Sequence, residues 1–283
     1  MPKLRSDERR TFFRSLIDRT VRLRVQCTSS DRSDEDEFAE DRGTSRVRMG
    51  TGFVQRAVEK EFPKSCSCDN CQGKVPSRQW IFHVVTASHL VYNTEEAKET
   101  MVDLFFDDDS CQKNKRMESV WASEAIEIDH NMDWCVMEYL TCKEDLGERV
   151  ESAYKSWVGV EELSPQDLSD LGLLPSSGKD RVPVLIVSHP HGRSKKVTIG
   201  EMRDEERSHR IQYNAPTCPG SSGAPVTLFD IDGKFAIIKD RGKFPCRWLF
   251  SPVHSGTFTD HPLRKLGGCE TMQEQINYGY TFQ

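Results

Sequence analysis

Short runs in which apolar and polar residues alternate recur along the whole chain. In residues 20–28, for example, Val21, Leu23 and Val25 alternate with Arg22 and Arg24. This alternation is typical of a strand with one buried face. Comparable strand-like runs occupy residues 46–58, 80–87, 101–106, 119–128, 134–140, 182–188, 195–200, 209–214, 225–229, 234–239 and 248–253. Many short strands separated by turns predict an all-β sandwich or barrel.

Helical patterns occur at the N-terminus and in the middle of the chain. An apolar stripe predicts a helix over residues 6–17, and residues 143–158 and 164–173 predict two more. We therefore expect four parts, which are a helical extension (1–19), a first β-barrel (20–142), a helical connector (143–177) and a second β-barrel (178–283).

Composition narrows the class of protein. The 283-residue chain is 36% hydrophobic and 30% charged, with a net charge of −6. An acidic balance argues against general nucleic-acid binding, because neutralising phosphates requires a basic face. No apolar run is long enough to span a bilayer, and the first residues do not resemble a signal peptide. We expect a cytoplasmic protein, a nuclear location being compatible, whose ten cysteines are free thiols or metal ligands.

The segment Thr217-Cys218-Pro219-Gly220-Ser221-Ser222-Gly223-Ala224-Pro225 carries the strongest chemical signal. A serine between close glycines can expose its hydroxyl while the backbone N–H groups of Gly220 and Ser222 face a developing oxyanion. We predict Ser222 as nucleophile, with Ser221 as the competing serine. The alternative interpretation is an ordinary polar turn.

A serine nucleophile needs a base and a group that orients the base. His89 ends the apolar run Val84-Val85-Thr86-Ala87-Ser88-His89, and Asp133 directly precedes another apolar run. We predict His89 as general base and then acid, and Asp133 as the carboxylate that fixes its tautomer. A buried structural histidine is the alternative for His89, and Asp129 competes with Asp133.

These blocks, together with Gly50-Thr51-Gly52-Phe53, resemble the trypsin-like (chymotrypsin-fold) peptidases over about residues 45–260. The resemblance implies two packed β-barrels and a serine endopeptidase that acts on polypeptides and needs no cofactor for catalysis. Ser221 and Ala224 depart from the secreted digestive members, and no activation segment precedes residue 45. The chain looks more like the non-zymogen branches of the superfamily.

Thr217 and His254 are similar to the residues that bind the P1 side chain in glutamyl endopeptidases and picornaviral proteases. A hydroxyl and an imidazole suit a carboxylate or a carboxamide, so we expect Glu or Gln at P1. The alternative is that His254 caps a surface strand.

Cys66, Cys68 and Cys71 place three thiols within six residues, a density that suits a structural zinc ion. The fourth ligand is not evident from the sequence, and Cys111 and His83 are candidates. Exposed thiols in a flexible hairpin are the alternative. His189 and His191 form a second close pair, which we interpret as a turn.

Three functions fit these observations. The leading hypothesis is a serine endopeptidase that forms an acyl-enzyme. The others are an inactive trypsin-like fold used for protein binding and a zinc-stabilised interaction module. The sequence predicts a polypeptide partner, and neither a nucleic acid nor a membrane.

Overall fold

A computed structural model describes residues 6–161 except 67, 69 and 70, together with residues 183–205, 210–228, 253–257 and 277–280. The α-helices in these ranges are α1 (Ser6–Arg19), α2 (Thr94–Lys98), α3 (Ser110–Lys113) and α4 (Glu144–Glu161). The strands of the first half are β1 (Thr20–Val25), β2 (Arg48–Glu59), β3 (Trp80–Thr86), β4 (Thr100–Leu104), β5 (Glu118–Asp129) and β6 (Trp134–Thr141). Those of the second half are β7 (Pro183–Ser188), β8 (Lys196–Glu205), β9 (Arg210–Tyr213), β10 (Val226–Leu228), β11 (Val253–Thr257) and β12 (Asn277–Tyr280).

The first half is a closed antiparallel barrel with the strand order β1-β2-β3-β6-β5-β4. Alternate aliphatic and aromatic side chains of these strands fill its interior, as the sequence pattern predicted. Two glycines of β2 allow close packing there. A Cβ at Gly50 would lie 2.0 Å from Leu90 Cδ2, and one at Gly52 would lie 2.8 Å from Val84 Cγ1. The predicted β-rich fold is confirmed in this half.

β1 is more buried than its alternating sequence indicates. Arg22, on the polar face, is 7% exposed because its Nε donates to Asp103 Oδ2 at 2.8 Å. The same guanidinium donates from Nη1 to the Gly192 carbonyl at 2.7 Å. A charged residue that would face solvent in an isolated sheet thus joins the barrel to the second half.

The second half forms a six-stranded antiparallel sheet with the order β10-β7-β8-β9-β12-β11. Its closure into a barrel and the division of the chain into four parts remain predictions. The predicted helix at 164–173, the predicted strand at 234–239 and most of that at 248–253 lie outside the described residues.

The two long helices meet beside the first barrel. The Arg19 guanidinium at the end of α1 lies 4.0 Å from the Trp157 ring of α4 and 4.5 Å from the Phe53 ring of β2. α4 also lies against β3, since a Cβ at Gly147 would lie 2.2 Å from Trp80 Cδ2. No helix in the described ranges combines the length and apolar character needed to cross a bilayer.

Candidate active site

His89 and Asp133 lie side by side because their strands are paired. β3 and β6 run antiparallel with Thr86 opposite Cys135, so the residues after β3 meet the residue before β6. His89 Nδ1 lies 2.9 Å from Asp133 Oδ2 and 3.0 Å from Oδ1. The backbone N–H of His89 and the hydroxyl of Ser88 also donate to Oδ1, at 2.9 and 3.2 Å. The carboxylate is therefore fixed by three groups of one segment.

The Asp133 carboxylate also sets the electrostatics of the imidazole. Burial lowers the pKa of His89, but the charge of Asp133 and its hydrogen bond outweigh burial, and the pKa is raised. A carboxylate at Nδ1 requires the proton on that nitrogen and leaves Nε2 as the basic atom. Asp129, the competing candidate, instead accepts the turn amides of Asn131 and Met132.

Nε2 of His89 faces an acidic loop that precedes β2. Glu37 Oε2 lies 3.8 Å from this nitrogen, and the Glu37 side chain is 56% exposed. Within the described contacts, His89 and Ser222 share no hydrogen bond. The basic nitrogen of His89 thus lies near the carboxylate of a mostly exposed side chain.

The two serines of the 217–225 segment have different environments. Ser221 is fully buried, and its hydroxyl donates to Ser188 Oγ at 3.1 Å at the end of β7. Its carbonyl accepts the Ala224 amide at 3.0 Å. Ser222 is half-buried. Of the two, Ser221 is tied into the loop, and Ser222 has the more accessible hydroxyl.

Thr51 of β2 holds the serine segment against the first barrel. Its N–H donates to the Ser222 carbonyl at 2.8 Å, and its hydroxyl donates to the Gly220 carbonyl at 2.7 Å. That hydroxyl also accepts the His189 amide at 2.9 Å, while the Thr51 carbonyl accepts the Thr86 hydroxyl at 2.7 Å. Thr86 lies three residues before His89, so one threonine connects the serine segment to the histidine strand.

The glycine after Ser222 makes this approach possible. Gly223 has φ +85°, and a Cβ there would lie 2.0 Å from the Thr51 carbonyl oxygen and 2.1 Å from Thr86 Oγ1. Both its left-handed conformation and the lack of space require glycine.

Gly220 packs against the turn that contains the second histidine pair. The Pro219 carbonyl accepts the His191 amide at 2.6 Å, and Gly220 has φ +93°. Because a trans peptide directs its C=O and N–H to opposite sides, the Gly220 N–H points away from this turn. Within the described hydrogen bonds, neither the Gly220 N–H nor the Ser222 N–H has an acceptor. Two backbone donors beside Ser222 are therefore available to a ligand.

The His189 side chain in this turn is packed in the interior of the protein. It is fully buried, its Nδ1 donates to the Arg193 carbonyl at 2.8 Å, and its ring stacks on Phe106. Burial and the nearby Lys195 charge lower the pKa of His189 to about 3. The imidazole is therefore neutral at physiological pH, and His189 helps to support the serine segment.

Of the two predicted substrate-binding residues, Thr217 is described with its side chain and His254 with its backbone. Thr217 is 9% exposed and lies five residues before Ser222. His254 lies in β11, opposite Gly279 of β12 and next to a β-bulge. The side chain of His254 lies outside the described part of the chain.

Cys66, Cys68 and Cys71 lie close to a fourth cysteine, Cys142, which the sequence did not indicate. The sulfur atoms of Cys66, Cys68, Cys71 and Cys142 all lie within 4.8 Å of one another. Cys111, the candidate offered from the sequence, is instead buried in α3 and is not among these four. His83, the other candidate, faces Glu138 at 3.7 Å in the middle of the β3–β6 pair.

The sequence did not indicate two features of the site, the Thr51 hydrogen bonds and the Glu37 carboxylate, whereas the turn at His189 and His191 was predicted. Thr51 had one sequence signal, since it lies between Gly50 and Gly52, and such glycines favour close backbone approach. Glu37 had none, because it is one of many acidic residues in its loop.

The chain is similar to several known proteins. One solved structure similar to the chain is the Rv3671c protease from M. tuberculosis in its active form, at 13% identity and a TM-score of 0.46, covering 95% of this chain and 78% of that one. Another is the serine endoprotease from Yersinia pestis, at 12% identity and a TM-score of 0.47, covering 96% of this chain and 62% of that one. No curated protein matches the chain. The trypsin-like peptidase domain pattern matches residues 50–236, more than half of the sequence, and the chain therefore belongs to the family of trypsin-like peptidase domains.

Proposed function

We propose that the protein is a serine endopeptidase in which Ser222, His89 and Asp133 form the catalytic triad. The observation that carries this proposal is the contact of His89 Nδ1 with both oxygens of Asp133, at 2.9 and 3.0 Å, in a chain of the trypsin-like peptidase family. That contact leaves Nε2 basic, which is the property that a serine nucleophile needs in its partner.

In the acylation step, Ser222 Oγ attacks the carbonyl carbon of the scissile peptide bond. The hydroxyl proton passes to His89 Nε2, and the Asp133 carboxylate stabilises the imidazolium that results. The tetrahedral intermediate then collapses. The C–N bond breaks, His89 gives its proton to the leaving amine, and the acyl group remains on Ser222.

The negative oxygen of the intermediate is bound by the N–H groups of Gly220 and Ser222, which have no acceptor in the described hydrogen bonds. Donors that are fixed before the reaction stabilise this charge without a reorganisation cost. In the second half of the cycle, water gives a proton to His89 Nε2 and attacks the acyl carbonyl. The serine then leaves with that proton and the acid product is released.

The approach of Ser222 Oγ to His89 Nε2 completes the triad when substrate binds, since catalytic hydrogen bonds often tighten in the Michaelis complex. The substrate chain displaces the Glu37 side chain from Nε2. Glu37 is mostly exposed, so its displacement has a low cost.

For the S1 subsite we propose Thr217 and His254, with preference for Glu or Gln at P1. The place of Thr217, at the start of the buried loop five residues before Ser222, supports this. A carboxylate or carboxamide oxygen accepts from both a hydroxyl and an imidazole N–H.

Hydrolysis of a peptide library tests both parts. We expect cleavage by the wild-type chain after Glu or Gln, and a fall in kcat of about 10⁶-fold in Ser222→Ala. Ser221→Ala is the matched control, and it should keep far more activity because Ser221 only supports the loop. Full activity of Ser222→Ala would refute the nucleophile, whereas a basic or aromatic P1 profile would refute only the subsite.

A further inference from the structure

We propose that Cys66, Cys68, Cys71 and Cys142 bind one zinc ion that fastens the β2–β3 loop to the end of β6. The proposal concerns a site outside the peptidase chemistry and does not depend on it. Tetrahedral zinc with Zn–S bonds of about 2.3 Å places its sulfurs about 3.8 Å apart. The four sulfurs lie within 4.8 Å of one another, so a small contraction produces the metal-bound geometry. None of these four cysteines is part of a disulfide.

Three of the ligands come from one compact hairpin. The Cys66 amide donates to the Lys74 carbonyl at 3.2 Å, and the Gly73 amide donates back to the Cys66 carbonyl at 2.9 Å. The Cys71 amide donates to the Cys68 carbonyl at 3.0 Å. The Cys68 N–H lies 3.5 Å from Cys66 Sγ. A hydrogen bond to a ligand sulfur helps to hold that sulfur in a fixed orientation for a metal.

The fourth ligand comes from a different part of the barrel. Cys142 directly follows β6, and the Gln79 side chain donates from Nε2 to its sulfur at 3.6 Å. Gln79 is 1% exposed, and its Oε1 accepts the Lys64 amide at 3.0 Å. A buried amide thus orients both the Cys142 sulfur and the loop that carries the other three.

The loop has little apolar burial of its own. Its large hydrophobic residues Phe62 and Val75 are 76% and 63% exposed. A segment without a core gains stability from a metal that cross-links distant residues, because the binding free energy becomes folding free energy. Zinc is the expected metal, since four soft thiolates in a tetrahedral arrangement suit it.

The zinc site lies far from the candidate catalytic residues, which indicates a structural role. Cys142 lies next to the pair Trp80–Thr141, at one end of the β3–β6 ladder, whereas His89 and Asp133 lie beyond the pair Thr86–Cys135 at the other end. The seven paired positions separate these ends by roughly 20 Å. Four protein ligands also leave no open coordination position for a substrate.

Elemental analysis of the full chain, produced in zinc-supplemented medium and purified under reducing conditions, tests the proposal. We expect one zinc per chain, and loss of that zinc in Cys142→Ser. Cys27→Ser is the matched control, because this half-buried thiol lies outside the four, and it should retain the full metal content. Zinc content equal to wild type in Cys142→Ser would overturn the assignment of the fourth ligand.

Cobalt binding by the wild-type chain provides a test that does not depend on whether the variant folds. Metal-free protein titrated with Co²⁺ should develop a thiolate-to-cobalt charge-transfer band and tetrahedral ligand-field bands, saturating at one equivalent and displaced by Zn²⁺. A folded, reduced chain that binds no cobalt, or one whose four thiols are paired as disulfides, would overturn the site. Hydrolysis lost in Ser222→Ala alongside such a result would show that the peptidase proposal stands independently.

Discussion

The Thr51 N–H donates a 2.8 Å hydrogen bond to the Ser222 carbonyl, and this contact joins the two halves of the molecule at the candidate nucleophile. The Thr51 hydroxyl adds two more bonds, to the Gly220 carbonyl and from the His189 amide. The backbone on both sides of the candidate oxyanion donors is therefore positioned by a residue of the first barrel. Thr51 acts through Ser222 and Gly220 and is a positioning residue.

Thr51→Val removes the two hydroxyl bonds and keeps the backbone bond to Ser222. At about 1 kcal/mol each, their loss should lower kcat by roughly 10- to 30-fold, with KM less affected. Steady-state peptide hydrolysis measures this. Thr20→Val is the control, since it removes a buried hydroxyl bond to the Leu16 carbonyl away from the site. Equal loss of kcat in both variants would contradict a positioning role.

Gly223→Ala should abolish most activity. The added Cβ meets the Thr51 carbonyl oxygen at 2.0 Å and must displace the serine segment from the barrel. Gly43→Ala provides the matched control, because Gly43 has a similar φ of +70° with nothing within 4 Å of its Cβ position. Both variants carry the same backbone strain, so a difference in kcat/KM reports the contact itself. If Gly223→Ala were as active as Gly43→Ala, the close approach of the two segments would be wrong.

Glu37→Gln should extend activity to lower pH. The Glu37 charge near Nε2 contributes to the raised pKa of His89, after the larger contribution of Asp133. The base must be neutral to accept the serine proton, so a lower pKa moves the acidic limb of the kcat/KM profile to lower pH. The shift should shrink at high salt, since Glu37 is mostly exposed. Glu35→Gln, in the same loop, should leave the acidic limb in place.

Glu96→Gln should destabilise the fold. Glu96 and Arg32 are fully buried and paired at 2.7 Å, and Arg48 joins them at 2.8 Å. Loss of the carboxylate leaves two buried guanidinium groups without their counter-charge, at a cost of about 3–5 kcal/mol in the free energy of unfolding. Urea denaturation measures this, with Glu95→Gln as the exposed neighbouring control. A change below about 0.5 kcal/mol, on the order of a surface substitution, would contradict a stabilising role of the Glu96 carboxylate.

Acid should weaken the same network. Burial raises the pKa of Glu96, but the hydrogen bond from Arg32 and the backbone amides of Tyr92 and Ser29 outweigh burial and lower it. A carboxyl whose pKa is lower in the folded state stabilises the protein above its unfolded pKa and loses that contribution as the pH falls. The free energy of unfolding of Glu96→Gln should therefore depend less on acid than that of the wild-type chain.

The sequence predicted the barrel strands well because their alternating residues face a single interior. It missed α2, although Asn93 and Glu96 have capping-box spacing and the Asn93 side chain accepts the Glu96 amide at 3.1 Å. The helix has five residues and too short an apolar pattern to reveal it. The Glu96 side chain turns instead to Arg32 and Arg48, partners that are distant in sequence.

The residues of the candidate site could likewise be predicted only in part. Motifs indicated His89, Asp133 and the serine segment, because each lies within one short run. Strand pairing brings Cys142 close to Cys71. The docking of the two halves brings Thr51 close to Ser222. Such contacts have no local sequence signal, and pairing of β3 with β6 was needed to find the fourth thiol.

Labelling with a fluorophosphonate probe is the sharpest test of Ser222 as the nucleophile, because the probe reacts with an activated serine and needs no knowledge of the substrate. We expect one adduct on the wild-type chain, mapped by mass spectrometry to Ser222, absent from Ser222→Ala and strongly slowed in Asp133→Asn. Absence of labelling in folded wild-type protein, or an adduct on Ser221, would contradict it.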